Sequence, residues 1–123
     1  MVVSDRVQEA IYAVGVEPRS IPDPGNGNTI DTEESGYVEL VTTGAETRIL
    51  ADPAFIGQQL DLFFKTDGGD CVVTTSSPMN QTANNTLTFA DVGDHVRLVG
   101  HNNPTDGWEW RQVVNDGVAL TTV

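Results

Sequence analysis

From Tyr37 onward the chain breaks into short runs of strand-forming residues, each closed by turn chemistry within a few positions. Tyr37–Thr42 alternates, with Val38, Leu40 and Thr42 on one face, and Gln58–Thr66 alternates with Leu60, Leu62 and Phe64 on one face. Glu46–Leu50, Cys71–Thr75, Thr86–Phe89, His95–Val99, Trp108–Val114 and Val118–Val123 complete the set. Turn residues lie between them: Thr43-Gly44-Ala45, Asp52-Pro53, Asp91–Asp94, Asn103–Gly107, Asn115–Gly117 and the polar loop Ser76–Asn85. Asp67-Gly68-Gly69-Asp70 carries the signature of a hairpin. About eight short strands at this spacing predict an all-β domain, either a compact sandwich or a barrel, a tulip-like arrangement included. A chain of 123 residues has room for one such domain.

The composition changes near Gly36, dividing the chain into an N-terminal arm (1–36) and a β domain (37–123). Val7, Ala10, Ile11 and Val14 recur at helical spacing, with Ser4 as an N-cap and Gly15 as a stop, which predicts a short helix over Ser4–Val14. The stretch after it holds Pro18, Pro22 and Pro24, which remove backbone donors and fix φ. It reads as an extended segment with two isolated apolar points, Ile21 and Ile30, either a disordered tail or an arm that orders only against a neighbouring subunit. Ile21, Pro22, Pro24 and Ile30 are the arm residues expected to make that contact.

Charge narrows the partners. Eighteen acidic residues against six basic ones leave a net charge of -12, and the cations are scattered singly. Nucleic acid and anionic membrane are therefore poor partners, and no apolar run is long enough to span a bilayer. The N-terminus lacks the basic and apolar regions of a secretion signal. Cys71 is the single cysteine, so no intrachain disulfide forms, and assembly in a reducing cytoplasm is expected.

The residues that can carry chemistry lack the context it needs. Asp94 and His95 are adjacent, so on a strand they point to opposite faces. His101, Ser76 and Ser77 belong to no nucleophile motif, and Cys71 opens an apolar strand. Asp67, Asp70, Asp106 and Asp116 sit in Gly-rich turns without the spacing of a calcium loop. No catalytic, metal or cofactor residue is expected. Trp108 and Trp110 alternate on one face, with Glu109 and Arg111 on the other, which favours packing or an inter-subunit contact over an exposed sugar platform. Asn80-Gln81-Thr82 and Asn84-Asn85-Thr86 match glycosylation acceptors and mark only an exposed polar loop.

Two segments resemble each other. Leu50–Leu62 and Phe89–Leu98 share Ala-Asp, then Gly, polar residues and an apolar-charged-apolar strand. Many β turns converge on these residues, and the match is too brief for a solenoid repeat. The Ala51-Asp52-Pro53…Gly57-Gln58 turn, Phe89-Ala90-Asp91-Val92-Gly93-Asp94, the penultimate strand with Trp110-Arg111 and an end within the last strand together resemble small virion proteins of tailed bacteriophages. Head decoration, or cement, proteins are the nearest likeness, and it extends over about residues 37–123. The resemblance implies a small β domain that forms homotrimers on the outer capsid surface. It also implies an arm reaching across the major capsid protein, and no catalysis. Tail or fibre modules that bind receptors or carbohydrates are the alternative.

Overall fold

The structure, a computed structural model, describes residues 19–123, so the helix expected over Ser4–Val14 lies outside the described residues. The described chain is all-β, with ten strands in two mixed sheets packed as a sandwich. β1 (Arg19–Ile21), β3 (Gly36–Val41), β5 (Gln59–Thr66), β8 (His95–Asn103) and β9 (Gly107–Asp116) form the first sheet in that order. β10 (Ala119–Thr121), β7 (Thr86–Phe89), β6 (Cys71–Thr75), β4 (Glu46–Leu50) and β2 (Asn28–Ile30) form the second.

The first six strands alternate between the sheets. Within each sheet they pair in parallel, β1 with β3 and β3 with β5, β2 with β4 and β4 with β6. Parallel neighbours cannot be joined by a tight turn, so each connection crosses to the other sheet and back. Three stacked rungs result, and antiparallel strands β7 to β10 close the sandwich. No sequence repeat announces the rungs, because each is defined by where its strands pair and not by which residues it contains.

This topology corrects two expectations. Asp67–Asp70 does not make a hairpin, since β5 and β6 lie in different sheets. Its paired glycines serve the stacking of one connection on another. An added Cβ on Gly68 would overlap the Thr42 carbonyl oxygen, and one on Gly69 would overlap the Gly44–Ala45 backbone. The buried Thr42 hydroxyl locks the two connections, donating to the Gly69 carbonyl oxygen at 2.6 Å and accepting from the Gly68 N–H at 3.0 Å.

The second correction concerns residues 19–36, which belong to the domain and are no arm. Arg19–Ile21 pairs with Gly36–Val38, and Asn28–Ile30 pairs with Arg48–Leu50. Ile21 and Ile30 are buried core residues, packed with Val38, Leu50, Leu62 and Phe64. The prolines misled because Pro22 and Pro24 fall between two three-residue edge strands, where no ladder donor is required. A loop end held by ion pairs fastens this segment. Arg48, fully buried, donates Nε–H to Asp23 Oδ1 at 2.7 Å and Nη2–H to Asp23 Oδ2 at 3.0 Å. Its Nη1 lies 3.0 Å from Glu46 Oε1, and it also donates to the Val41 and Thr47 carbonyls. Such bidentate pairing satisfies a charge that would be costly to bury alone.

Candidate interaction surfaces

Two corners carry the chain from the second sheet to the first, and they are built alike at opposite ends of the sandwich. They are the two segments whose sequences resemble each other. At one corner, the Gly57 N–H bonds to the Gly100 carbonyl oxygen and the Gly100 N–H to the Gln58 carbonyl oxygen. At the other, the Gly93 N–H bonds to Phe64 and the Phe64 N–H to Asp94 in the same pattern. Gly57 (φ 85°) and Gly93 (φ 96°) occupy the left-handed conformation that glycine adopts without strain. The next residue folds back each time: Gln58 Oε1 accepts from the Ala54 N–H at 2.6 Å, and Asp94 Oδ2 accepts from the Ala90 N–H at 3.0 Å. Ile56 and Val92, the residues before these glycines, are 68% and 63% exposed.

The motif residues behind the bacteriophage resemblance thus serve the architecture. Trp110 is buried and donates Nε1–H to the Ala51 carbonyl oxygen at 2.8 Å, tying β9 to the first corner. Trp108, on the same face but beyond the core, is 36% exposed. The register places it opposite Asn102, at the end of the first sheet where Phe55 and Ile56 also project. Phe55, Ile56 and Trp108 are thus exposed apolar residues at one end of the sandwich.

The outer face of the first sheet is polar and aromatic. Tyr37, Phe63 and His95 ring centroids lie 6.1–6.2 Å apart, a close cluster on three adjacent strands. Beside it, Asp61 Oδ1 receives His95 Nε2 and Arg97 Nε, each at 2.9 Å. Burial, then the nearby Glu39 and Asp61 carboxylates, raise the Tyr37 phenol above its ordinary range. Glu109 Oε2 accepts from Arg111 Nη1 at 3.2 Å and is almost wholly buried. Glu109 and Arg111 share the face opposite Trp108 and Trp110, and there Arg111 covers Glu109 and satisfies its charge.

The outer face of the second sheet differs. The register lays Thr47, Val72, Thr88 and Ala119 side by side in one cross-strand row. Thr29, Ile49, Thr74, Thr86 and Thr121 form the next. Neither row contains an ionisable group, although the chain carries net charge -12.

The other candidate residues are dispersed. Cys71 is sealed in the core, and burial pushes its thiol up to about 11. Asp94 is held by its corner, and His95 turns to Asp61 instead. Asp67 and Asp70 lie in one turn, Asp106 in another, and Asp116 at the end of β9. Among the described residues no three His, Cys, Asp or Glu side chains converge as a metal site. Loop Ser76–Asn85 is internally ordered: Met79 plugs the core, while Asn80 Oδ1 accepts from the Thr82 and Asn84 N–H groups. Of the expected arm contacts, Ile21 and Ile30 are core, Pro22 is exposed and Pro24 half-buried. The buried acidic groups Asp61 and Glu109 had no sequence signal of burial: Asp61 lies opposite Arg97 only in register, and Glu109 is two residues from Arg111 on its own strand. No protein-family model matches the chain, and no curated protein sequence is significantly similar to it.

Proposed function

We propose that the protein is a non-catalytic structural component of a tailed-bacteriophage virion, decorating the outside of the head as a trimer. The single observation that carries this reading is the use made of its polar groups. Gln58, Asp94, Arg48 and Thr42 are each spent on corners and connections, a pattern suited to a rigid subunit and not to turnover. The corners that hold the sandwich together are also the segments that resemble decoration proteins. The end of the sandwich that exposes Phe55, Ile56 and Trp108 is the part that meets the major capsid protein, replacing the arm contacts expected of Ile21 and Ile30. Co-sedimentation with empty shells of the parent phage, before and after expansion, tests the proposal. Saturable pelleting with expanded shells, lost in the double variant Phe55→Asp/Ile56→Asp with unchanged circular dichroism, is the expected result. Failure of the full chain to pellet with either shell overturns it.

The half-exposed Trp108 favours a second reading, a receptor-binding or carbohydrate-binding module of a tail or fibre. A glycan that quenches fluorescence in the parent chain, but not in Trp108→Phe, selects that reading.

A further inference from the structure

We infer that the outer face of the second sheet is the surface by which copies of this chain meet one another. The inference goes beyond the proposed trimer on the shell: a face that meets an identical face pairs two copies about a two-fold axis in solution, which is a different contact from a three-fold one.

The argument is electrostatic first. Two copies that each carry a charge of -12 repel, and most contacts between them would appose carboxylates. The two rows centred on Val72 and Thr74 avoid this, because they span five strands without one ionisable side chain. Such a face can be dehydrated without stripping water from a charge. Its composition also suits contact between sheets. Val72 and Ile49 supply apolar area, and Ile49 is 46% exposed. The hydroxyls of exposed Thr29, Thr47, Thr74 and Thr121 both donate and accept, so a second identical face can satisfy them, while buried Thr86 already donates to Asn85 Oδ1. The opposite face of the sandwich lacks this freedom, since its Asp61, Arg97, Glu109 and Arg111 already neutralise one another within the subunit.

The size of the face sets how the association behaves. Five strands spaced about 4.8 Å apart make a patch roughly 20 Å wide, and two rows two residues apart make it roughly 10 Å long, so its area of about 200 Å² is well below the ~800 Å² per partner of a standard interface. Association is accordingly reversible, and it strengthens as added salt screens the repulsion between copies.

Sedimentation velocity of the full chain, without shells, from micromolar to millimolar concentration and from low to physiological salt, tests the inference. The expected result is a concentration-dependent rise in mass that grows with salt. Thr74→Glu and Thr74→Lys should both return the chain to monomer, with circular dichroism and melting temperature unchanged. Val113→Glu, which places a charge on exposed β9, should leave association intact. A monomer under every condition overturns the inference, as does association that survives both Thr74 variants. Loss of association in Thr74→Glu but not in Thr74→Lys also overturns it, since net charge and not this face would then decide. Shell binding is scored separately. A chain that self-associates through this face but ignores shells refutes the decoration reading alone. One that binds shells as a monomer, and loses that binding in both Thr74 variants, assigns the face to the capsid and refutes self-association.

Discussion

Asp61 and Arg97 face each other across β5 and β8 at the centre of a local two-fold relationship. They are register partners, with Arg97 Nε 2.9 Å from Asp61 Oδ1. Moving outward from this pair, Phe63 meets His95, Phe64 bonds to the second corner and Gly100 bonds to the first. The two corners with similar sequences are thus brought into equivalent positions about one ion pair.

Despite that central place, the pair is predicted to contribute modestly. Arg97 is 42% exposed at its side chain, so removing Asp61 leaves a guanidinium that water can reach. Asp61→Ala should cost about 1–2 kcal/mol in urea unfolding. Arg48 is the contrasting case, being fully buried between Asp23 and Glu46. Arg48→Met, which leaves those carboxylates facing one another, should cost about 3–5 kcal/mol. Equal losses for the two variants would contradict this account.

Stability should fall in acid through the same cluster. Burial works against the Asp23 charge, but Arg48 and the Val41 and Gly25 N–H groups hold its carboxyl below the ordinary 3.8. The Thr43 N–H, followed by Arg48, likewise holds Glu46 below the ordinary 4.5. A carboxyl with a depressed folded value stabilises above its unfolded value and loses that contribution as pH falls through the folded one. Stability should therefore hold down to about pH 5 and drop below the ordinary carboxylate range. Asp23→Asn should be less stable at neutral pH, and its curve should converge with the parent's in acid.

Residues 19–36 should behave as core. Ile21→Ala and Ile30→Ala should each cost about 2–5 kcal/mol, as expected for a large-to-small change in a packed interior. A chain shortened to begin at residue 37 should lose its cooperative thermal transition. A chain that melts normally without β1 and β2 would show that the segment is dispensable.

Cys71 should report global opening. With its thiol pushed up to about 11 and no exposed surface, it should resist a thiol reagent at neutral pH. The rate of labelling should rise with denaturant in step with unfolding. Rapid labelling of the native protein would contradict its burial.

Gly100 should not tolerate a methyl group. An added Cβ would come within 2.6 Å of the Phe55 carbonyl oxygen and 2.8 Å of the Pro53 Cβ, pushing the first corner off β8. Gly100→Ala should lower the melting temperature by several degrees, on the order of a 1–3 kcal/mol overpacking penalty. Phe55 and Ile56 would move with the corner, so calorimetry alongside shell binding reads both effects.

Alternation along single strands was enough to place Val38, Leu40, Leu60, Leu62 and Phe64 in a β core, because side-chain direction within a strand is a local property. Turn residues divided those strands, and the likeness of Leu50–Leu62 to Phe89–Leu98, which reads equally as two ordinary β turns, falls on two corners that cross between the sheets. What the local pattern did not hold is which strands pair. β1 and β2 are three residues each, too short to carry a period, and become strands only against Gly36–Val38 and Arg48–Leu50. Asp67–Asp70 has hairpin residues, yet whether such a turn joins neighbours or crosses between sheets depends on the rung stacked beside it. The uncharged face exists only in register, since Thr29, Thr47, Val72, Thr88 and Ala119 are scattered along the chain. Strand formation is a short-range decision made by each residue's neighbours in sequence. Pairing, burial of Ile21 and Ile30, and the separation of charge between two faces are long-range decisions, made when the sheets close on one another.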